Sequence, residues 1–174
     1  MKQALALLLL VCALGARAQY VPKSDWEEAQ DKLNWKEGAA KLPAWPKREN
    51  LIEFFVTSAS SFRFYIDSES LEVGTDGVVR YTLVARSPAG VENITYEGIR
   101  CTENQVKIFA IGNDARWRVL DQDWKRIDER TVQRWHNTLR SDIFCPARAI
   151  IASRDEGLAA LRRGFHPALG VDRR

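Results

Sequence analysis

The sequence predicts an α+β fold, an antiparallel meander sheet with helices packed mainly on one face, in a single domain closed by one disulfide. Three observations predict it. Apolar residues alternate with a period of two from Leu51 to Val119, helical periodicity flanks that stretch on both sides, and only Cys101 and Cys145 lie beyond the first 18 residues. Connections within the alternating stretch are too short for the crossover of a dozen residues that parallel strands need, so neighbours must be antiparallel. With 174 residues, 45% hydrophobic and 28% charged, the composition is that of one globular domain and excludes a disordered or collagen-like chain.

Met1-Lys2-Gln3 gives a short positive start, Ala4 to Leu14 an apolar run of 11 residues, and Ala16-Arg17-Ala18 small residues at both recognition positions of a cleavage site. Residues 1–18 therefore read as a secretory signal peptide, with cleavage expected after Ala18 and a periplasmic product. A membrane span needs about 20 apolar residues, and charge already returns at Arg17; no transmembrane segment is expected after cleavage. Val11 before Cys12 gives no lipoprotein site. In an oxidising compartment the remaining cysteine pair reads as a structural disulfide rather than as redox thiols, which usually sit two residues apart. Cys101 and Cys145 would close a loop of 44 residues. The chain-entropy argument gives such a loop roughly 4 kcal/mol.

Residues 19–50 read as a helix and a proline-rich arm, and 51–174 as the sheet and C-terminal helices, forming one domain with the arm. Ser24-Asp25-Trp26-Glu27 matches a capping box, with Trp26, Gln30 and Leu33 on one helical face. Pro43 and Pro46 stop that helix, and Trp35 and Trp45 are expected to lay the arm across the main domain. Strands are expected at Leu51 to Thr57, Phe62 to Asp67, Leu71 to Val73, Val78 to Arg86, Val91 to Cys101, Val106 to Ile111 and Arg116 to Val119. Beyond Leu120, Asp128 can cap a helix carrying Val132, Trp135, His136 and Leu139 on one face. Ser153-Arg154-Asp155-Glu156 reads as a second capping box, and Gly164 with Pro167 ends that helix.

If Ser87 pairs with Gly90 across the longest hairpin, Leu83 lies beside Ile94 and Tyr81 beside Tyr96 toward the core. Thr82 then meets Thr95, and Arg80 meets Glu97, toward water. Gly98 marks a bulge or a close approach of another backbone. This run, Val-Val-Arg-Tyr-Thr-Leu-Val-Ala-Arg-Ser-Pro-Ala-Gly-Val-Glu-Asn-Ile-Thr-Tyr-Glu-Gly-Ile-Arg-Cys from Val78 to Cys101, resembles the signature of the exported bacterial cryptic neisserial protein-like family. The segment Asp67 to Gly74 and residues Trp124, His136, Leu139 and Cys145 look similar too. What the resemblance implies is an exported bacterial domain; it supplies no reaction, cofactor or partner.

Chemical motifs are scarce. There is no nucleophile elbow, zinc helix, phosphate loop or calcium loop, and no cofactor or metal is expected. The glycosylation pattern Asn93-Ile94-Thr95 falls inside a strand and reads as coincidence. His136 reads as a core histidine unless a carboxylate such as Asp76 or Glu97 adjoins it; those three are the candidate hydrolytic residues. His166 is expected to be solvated. After cleavage, 24 basic residues face 23 acidic ones, too little excess for a nucleic-acid binder. The charge is lopsided, however. Residues 19–115 carry 11 basic and 15 acidic side chains, and residues 116–174 carry 13 and 8. Within the basic part, Arg116-Trp117-Arg118 and Trp124-Lys125-Arg126 interleave cations with aromatics, as does Arg134-Trp135, and the first two are the candidate binding residues. The expected function is a non-enzymatic envelope domain that binds an envelope protein or an anionic polymer. The alternative is a hydrolase using His136 with a nearby carboxylate.

Overall fold

The computed structural model describes residues 24–128 and 134–170. The expected signal peptide, residues 19–23, and residues 129–133, among them Val132 of the expected helix, lie outside them. The chain divides after Trp35 into two units.

The first unit contains α1, Asp25–Asn34. Ser24 Oγ accepts the Glu27 N–H, and the Glu27 carboxylate accepts the Ser24 N–H at 2.8 Å, the reciprocal cap the sequence predicts. Its expected apolar face stays exposed at Trp26 and Leu33.

The second unit, from Lys36 onward, is built on eight strands: β1 (Leu51–Phe54), β2 (Arg63–Asp67), β3 (Glu72–Val73), β4 (Val78–Arg86), β5 (Glu92–Arg100), β6 (Gln105–Asn113), β7 (Arg116–Val119) and β8 (Lys125–Arg126). Every pairing is antiparallel, in the order β1-β2-β4-β5-β6-β7. β3 adds to β4 and β8 to β6. Each side of the β4–β5–β6 centre is thus flanked by a strand in two pieces. Seven strands match the sequence reading within a few residues; β8, whose two residues Lys125 and Arg126 are both charged and show no apolar alternation, was not expected.

The central hairpin is registered one residue away from the expected pairing. Gly90 adopts φ +82° and donates its N–H to Ser87 O, while the Ser87 N–H bonds Val91 O. That closes a three-residue loop, Pro88-Ala89-Gly90, in place of a two-residue one. Tyr81 therefore faces Glu97, Val84 faces Ile94, and Arg80 faces Gly98. Because the side-chain period is two, this shift separates Arg80 and Glu97 onto opposite faces and leaves neither pointing at water. Arg80 is 2% exposed and Thr82 is fully buried.

Both faces of the sheet are covered. On one, Ile66, Tyr81, Leu83 and Ile99 pack against Leu139, Ile143, Phe144, Leu158 and Leu161 of the helical layer. That layer comprises α2 (Arg134–Thr138), a π-helical continuation (Leu139–Phe144) and α3 (Arg154–Arg163). The disulfide Cys101–Cys145, with Cα atoms 5.4 Å apart, joins the end of β5 to the end of the π-helical turn. On the other face the arm packs over Tyr65, Val84, Ile94, Tyr96 and Phe109 through Ala40 and Trp45. Trp45 meets Trp117 at 5.4 Å between ring centres, and Trp117 Nε1 donates to Pro43 O at 2.9 Å. The arm lies where Trp45 predicts.

Two local expectations are corrected. The second capping box is half formed: Ser153 Oγ accepts the Glu156 N–H, but the Glu156 carboxylate accepts from Ala152 N–H and from His166. His166 is buried rather than solvated. Its Nδ1 accepts the Ala168 N–H at 3.1 Å, so Nε2 carries the proton and donates to Glu156 at 2.8 Å. Gly98 does accompany a bulge, but in the neighbouring strand: the register shifts between Tyr96 and Glu97, leaving Phe109 of β6 unopposed. A Cβ at Gly98 would lie 2.8 Å from the Phe109 ring, so only glycine leaves it room.

Candidate functional site

The register of the central hairpin creates a buried polar cluster on the helix-covered face. Glu97, 1% exposed, accepts from Tyr81 Oη at 3.1 Å across the ladder and from Thr95 Oγ1 at 2.7 Å along its own strand. His136 Nε2, reaching down from α2, lies 2.9 Å from Glu97 Oε2. Burial pushes the Glu97 carboxyl up, but the His136 ring and the hydroxyls of Thr95 and Tyr81 more than reverse that and hold it below the ordinary glutamate range. An ionised carboxylate only accepts, so Nε2 must carry the proton. Burial, then the Glu97 charge beside it, pushes the Tyr81 phenol well above its usual range, and it stays a donor.

Asp76 does not join this cluster. It lies on the opposite face, where Arg80 Nη1 donates to Oδ1 at 3.1 Å and the Gly38 N–H to Oδ2 at 2.7 Å. Arg80 Nη2 bonds Oδ2 as well and reaches the Gly38 carbonyl at 3.1 Å. Burial pushes the Asp76 carboxyl up, and its bonds with Arg80 and Gly38 bring it below its ordinary value. The expected Arg80–Glu97 pair is replaced by two separate ionic clusters, each on its own face. Tyr81 and Thr95 were not legible as members of a site. The signal that could have found them is Gly90 at the third loop position, which favours the longer hairpin loop.

A cavity of about 280 Å³ adjoins His136, with Val106, Ile108 and Ile127 as apolar walls and Lys125 and Arg126 among its polar lining. Glu97 orients His136 as the third member of a hydrolytic triad would. Among the described residues no serine, threonine or cysteine lines the cavity. What the cluster does in the fold is join α2 to β4 and β5.

The basic residues of the edge have a different setting. Arg116 and Arg118 on β7 and Lys125 and Arg126 on β8 are exposed. The interleaved indoles turn toward the arm: Trp117 bonds Pro43, while Trp124 Nε1 donates to Glu37 at 3.1 Å and meets the Phe109 ring edge-on. Among the described residues no acid lies within 4.0 Å of any of the four cations. By contrast Arg63, Arg80, Arg86 and Lys107, on β2, β4 and β6, are paired with Glu53, Asp76, Glu92 and Glu37. Among the described residues no three acids, histidines or cysteines converge on a metal position, and no helix is long and apolar enough to cross a membrane.

Comparison with known proteins agrees with the resemblance of the Val78–Cys101 hairpin. The profile of the CNP1-like family matches residues 30–162. A protein of Neisseria gonorrhoeae, Cryptic neisserial protein 1, is 29% identical over 118 residues, which cover 58% of this chain and 58% of that protein. No solved structure matches.

Proposed function

This chain belongs to the CNP1-like family, and we propose that it is a non-enzymatic periplasmic domain that binds an anionic polymer or an acidic protein of the bacterial envelope through its β7–β8 edge. The observation that carries the reading is the set of four exposed cations, Arg116, Arg118, Lys125 and Arg126, along one side of β6, with no acid within 4.0 Å of them among the described residues. Ion pairs near the surface contribute little to stability, so the pairing of Arg63 and Arg86 and its absence among the described residues at the β7–β8 cations differ little in folding energy. They differ in the field they present: an unpaired group steers an anion toward the edge, and salt screens it. Export is supported by the pattern of residues 1–18 and by the Cys101–Cys145 bridge.

Binding to isolated envelope fractions tests the reading. Retention of the wild-type chain should fall steeply as salt is raised, and Arg116→Gln with Arg118→Gln and Arg126→Gln should weaken it further. Equal retention at low and high salt, or by wild type and triple variant, contradicts it. A second reading, a hydrolase using His136, has the 2.9 Å Glu97–His136 contact in its favour. Activity in a broad hydrolase screen that disappears in His136→Ala would replace the binding reading.

A further inference from the structure

We infer that the outer edge of β7 takes up an extended acidic peptide as an additional antiparallel strand, with acidic residues opposite Arg116 and Arg118 and apolar residues opposite Trp117 and Val119. The inference rests on the binding reading above and deepens it: of the two partner chemistries named there it selects the acidic protein, and it states how a segment of that protein is held.

The starting point is the direction of the backbone groups. β7 is an outer strand, paired with β6 and, among the described residues, with no strand on its other side. The Leu120 N–H donates to Phe109 O at 2.8 Å and extends that ladder by one residue. Hydrogen-bonded and non-hydrogen-bonded pairs alternate along an antiparallel ladder. Arg116 and Arg118 therefore direct their N–H and C=O groups at β6, and Trp117 and Val119 direct theirs away from the sheet. Those outward groups are what an added strand uses. The template is held in place on the arm-covered face, where Trp117 Nε1 donates to Pro43 O at 2.9 Å and the indole packs on Trp45 and Tyr96. Asp114 and Ala115, at φ +49° and +57°, make the tight turn from β6. An edge fixed in this way loses little freedom on binding.

The side chains decide which strand fits. Arg116 and Arg118 are exposed and share one face of the edge; on the other, Val119 is 65% exposed and Trp117 is half-buried. Added residues opposite Trp117 and Val119 exchange hydrogen bonds with them and cover Val119 if they are apolar. Residues opposite Arg116 and Arg118 form non-hydrogen-bonded pairs, in which side chains approach more closely. Acids there meet two cations that have no acid within 4.0 Å among the described residues. Asp114 and Asp121 lie exposed just beyond the two ends of the strand, so the excess positive charge is confined to Arg116 and Arg118 and the complement is short, with acid and apolar residues alternating. A second copy of this chain does not fit. Antiparallel pairing of β7 with β7 over the strand sets Arg118 against Arg118 or Arg116 against Arg118, and like charges directly opposite resist pairing. A polyphosphate meets the cations but has no N–H for the Trp117 and Val119 carbonyls. The other outer strand, β1, lacks the charge: Glu53, its one ionic residue, is paired with Arg63.

Titration of the full chain with a synthetic peptide of alternating glutamate and valine tests this, read by amide hydrogen exchange and by affinity. The expected result is slowed exchange at the Trp117 and Val119 amides on saturation, with the Arg116 and Arg118 amides, already bonded to β6, little changed. N-methylation of the valine amides, which face β7 in this register, should abolish binding, whereas N-methylation of the glutamate amides, which face away, should leave it intact. Arg116→Gln with Arg118→Gln should weaken binding by up to about ten-fold. Val119→Pro removes an outward N–H that no group of β6 accepts, so it should leave urea unfolding nearly unchanged and weaken the peptide. The methylated peptides keep the test independent of any change in the protein. Equal binding of the valine-methylated and unmodified peptides, protection centred on another strand, or a dimer formed through β7 in sedimentation equilibrium overturns the inference. If no peptide binds while envelope fractions are still retained in a salt-dependent way, strand addition fails and the edge reading stands. Peptide binding with the expected protection but without retention on envelope fractions supports strand addition and removes the envelope partner.

Discussion

Arg80, in the middle of β4, is 2% exposed and held by both oxygens of Asp76, whereas Arg116 and Arg118, on the edge strand β7 of the same sheet, are exposed with no acid within 4.0 Å among the described residues. The residue type is the same; the position in the sheet is not. A guanidinium covered by the arm must have its charge and its N–H groups satisfied inside the protein, and Asp76 with the Gly38 carbonyl does so. A guanidinium on an outer strand is satisfied by water and needs no partner. The buried arginine is therefore committed to the fold, and the exposed ones remain available to something outside it. A basic run in the sequence does not distinguish the two.

The largest effect expected from breaking this contrast is on stability. Arg80→Met leaves Asp76 buried without its cation and should cost on the order of 3–5 kcal/mol in urea unfolding. Retention of the folded fraction on envelope material should not change. A variant as stable as wild type would mean that the Arg80–Asp76 pair is not structural. On the opposite face, Glu97→Gln removes the charged acceptor shared by Tyr81, Thr95 and His136 and should cost about 2–3 kcal/mol at neutral pH. Because folding lowers the Glu97 pKa, its stabilisation is fully present above the ordinary value of 4.5 and is lost as pH falls through the lower folded value. Wild type and Glu97→Gln should thus converge in stability when unfolding is measured at progressively more acid pH; a constant gap would contradict the assignment. The smallest stability effect belongs to the edge. Replacing Arg116, Arg118 and Arg126 by glutamine should leave unfolding within about 0.5 kcal/mol of wild type, while retention weakens about ten-fold through loss of three exposed contacts, each of up to about 1 kcal/mol.

The sequence conveyed the local structure well and the pairing less well. The bounds of β4 and β7, the cap at Ser24, the stop at Gly164 and the disulfide partners all follow from local chemistry, and all are present. Burial of β4 on both faces was missed, because Arg80 and Thr82 alternate with apolar residues and read as a water-facing set. What depended on a single turn was lost. One extra loop residue at Gly90 exchanged the partners of Arg80, Tyr81 and Glu97 and so determined which carboxylate meets His136. The sequence had offered both Asp76 and Glu97; the register selects Glu97. His166 escaped recognition because its partner Glu156 lies one helix away, where no local pattern reports it. Trp117 and Trp124 were legible as aromatics beside cations, but not as anchors of the arm, because that role depends on Pro43 and Glu37, more than seventy residues upstream.

The central claim, that the β7–β8 edge is the binding surface, is tested most directly by amide NMR of the full chain titrated with polyphosphate at low and high salt. The account predicts shifts at Arg116, Arg118, Lys125 and Arg126 that vanish at high salt, with the amides around Arg80 unmoved. Shifts centred elsewhere, or shifts at the edge that persist undiminished in high salt, would contradict it.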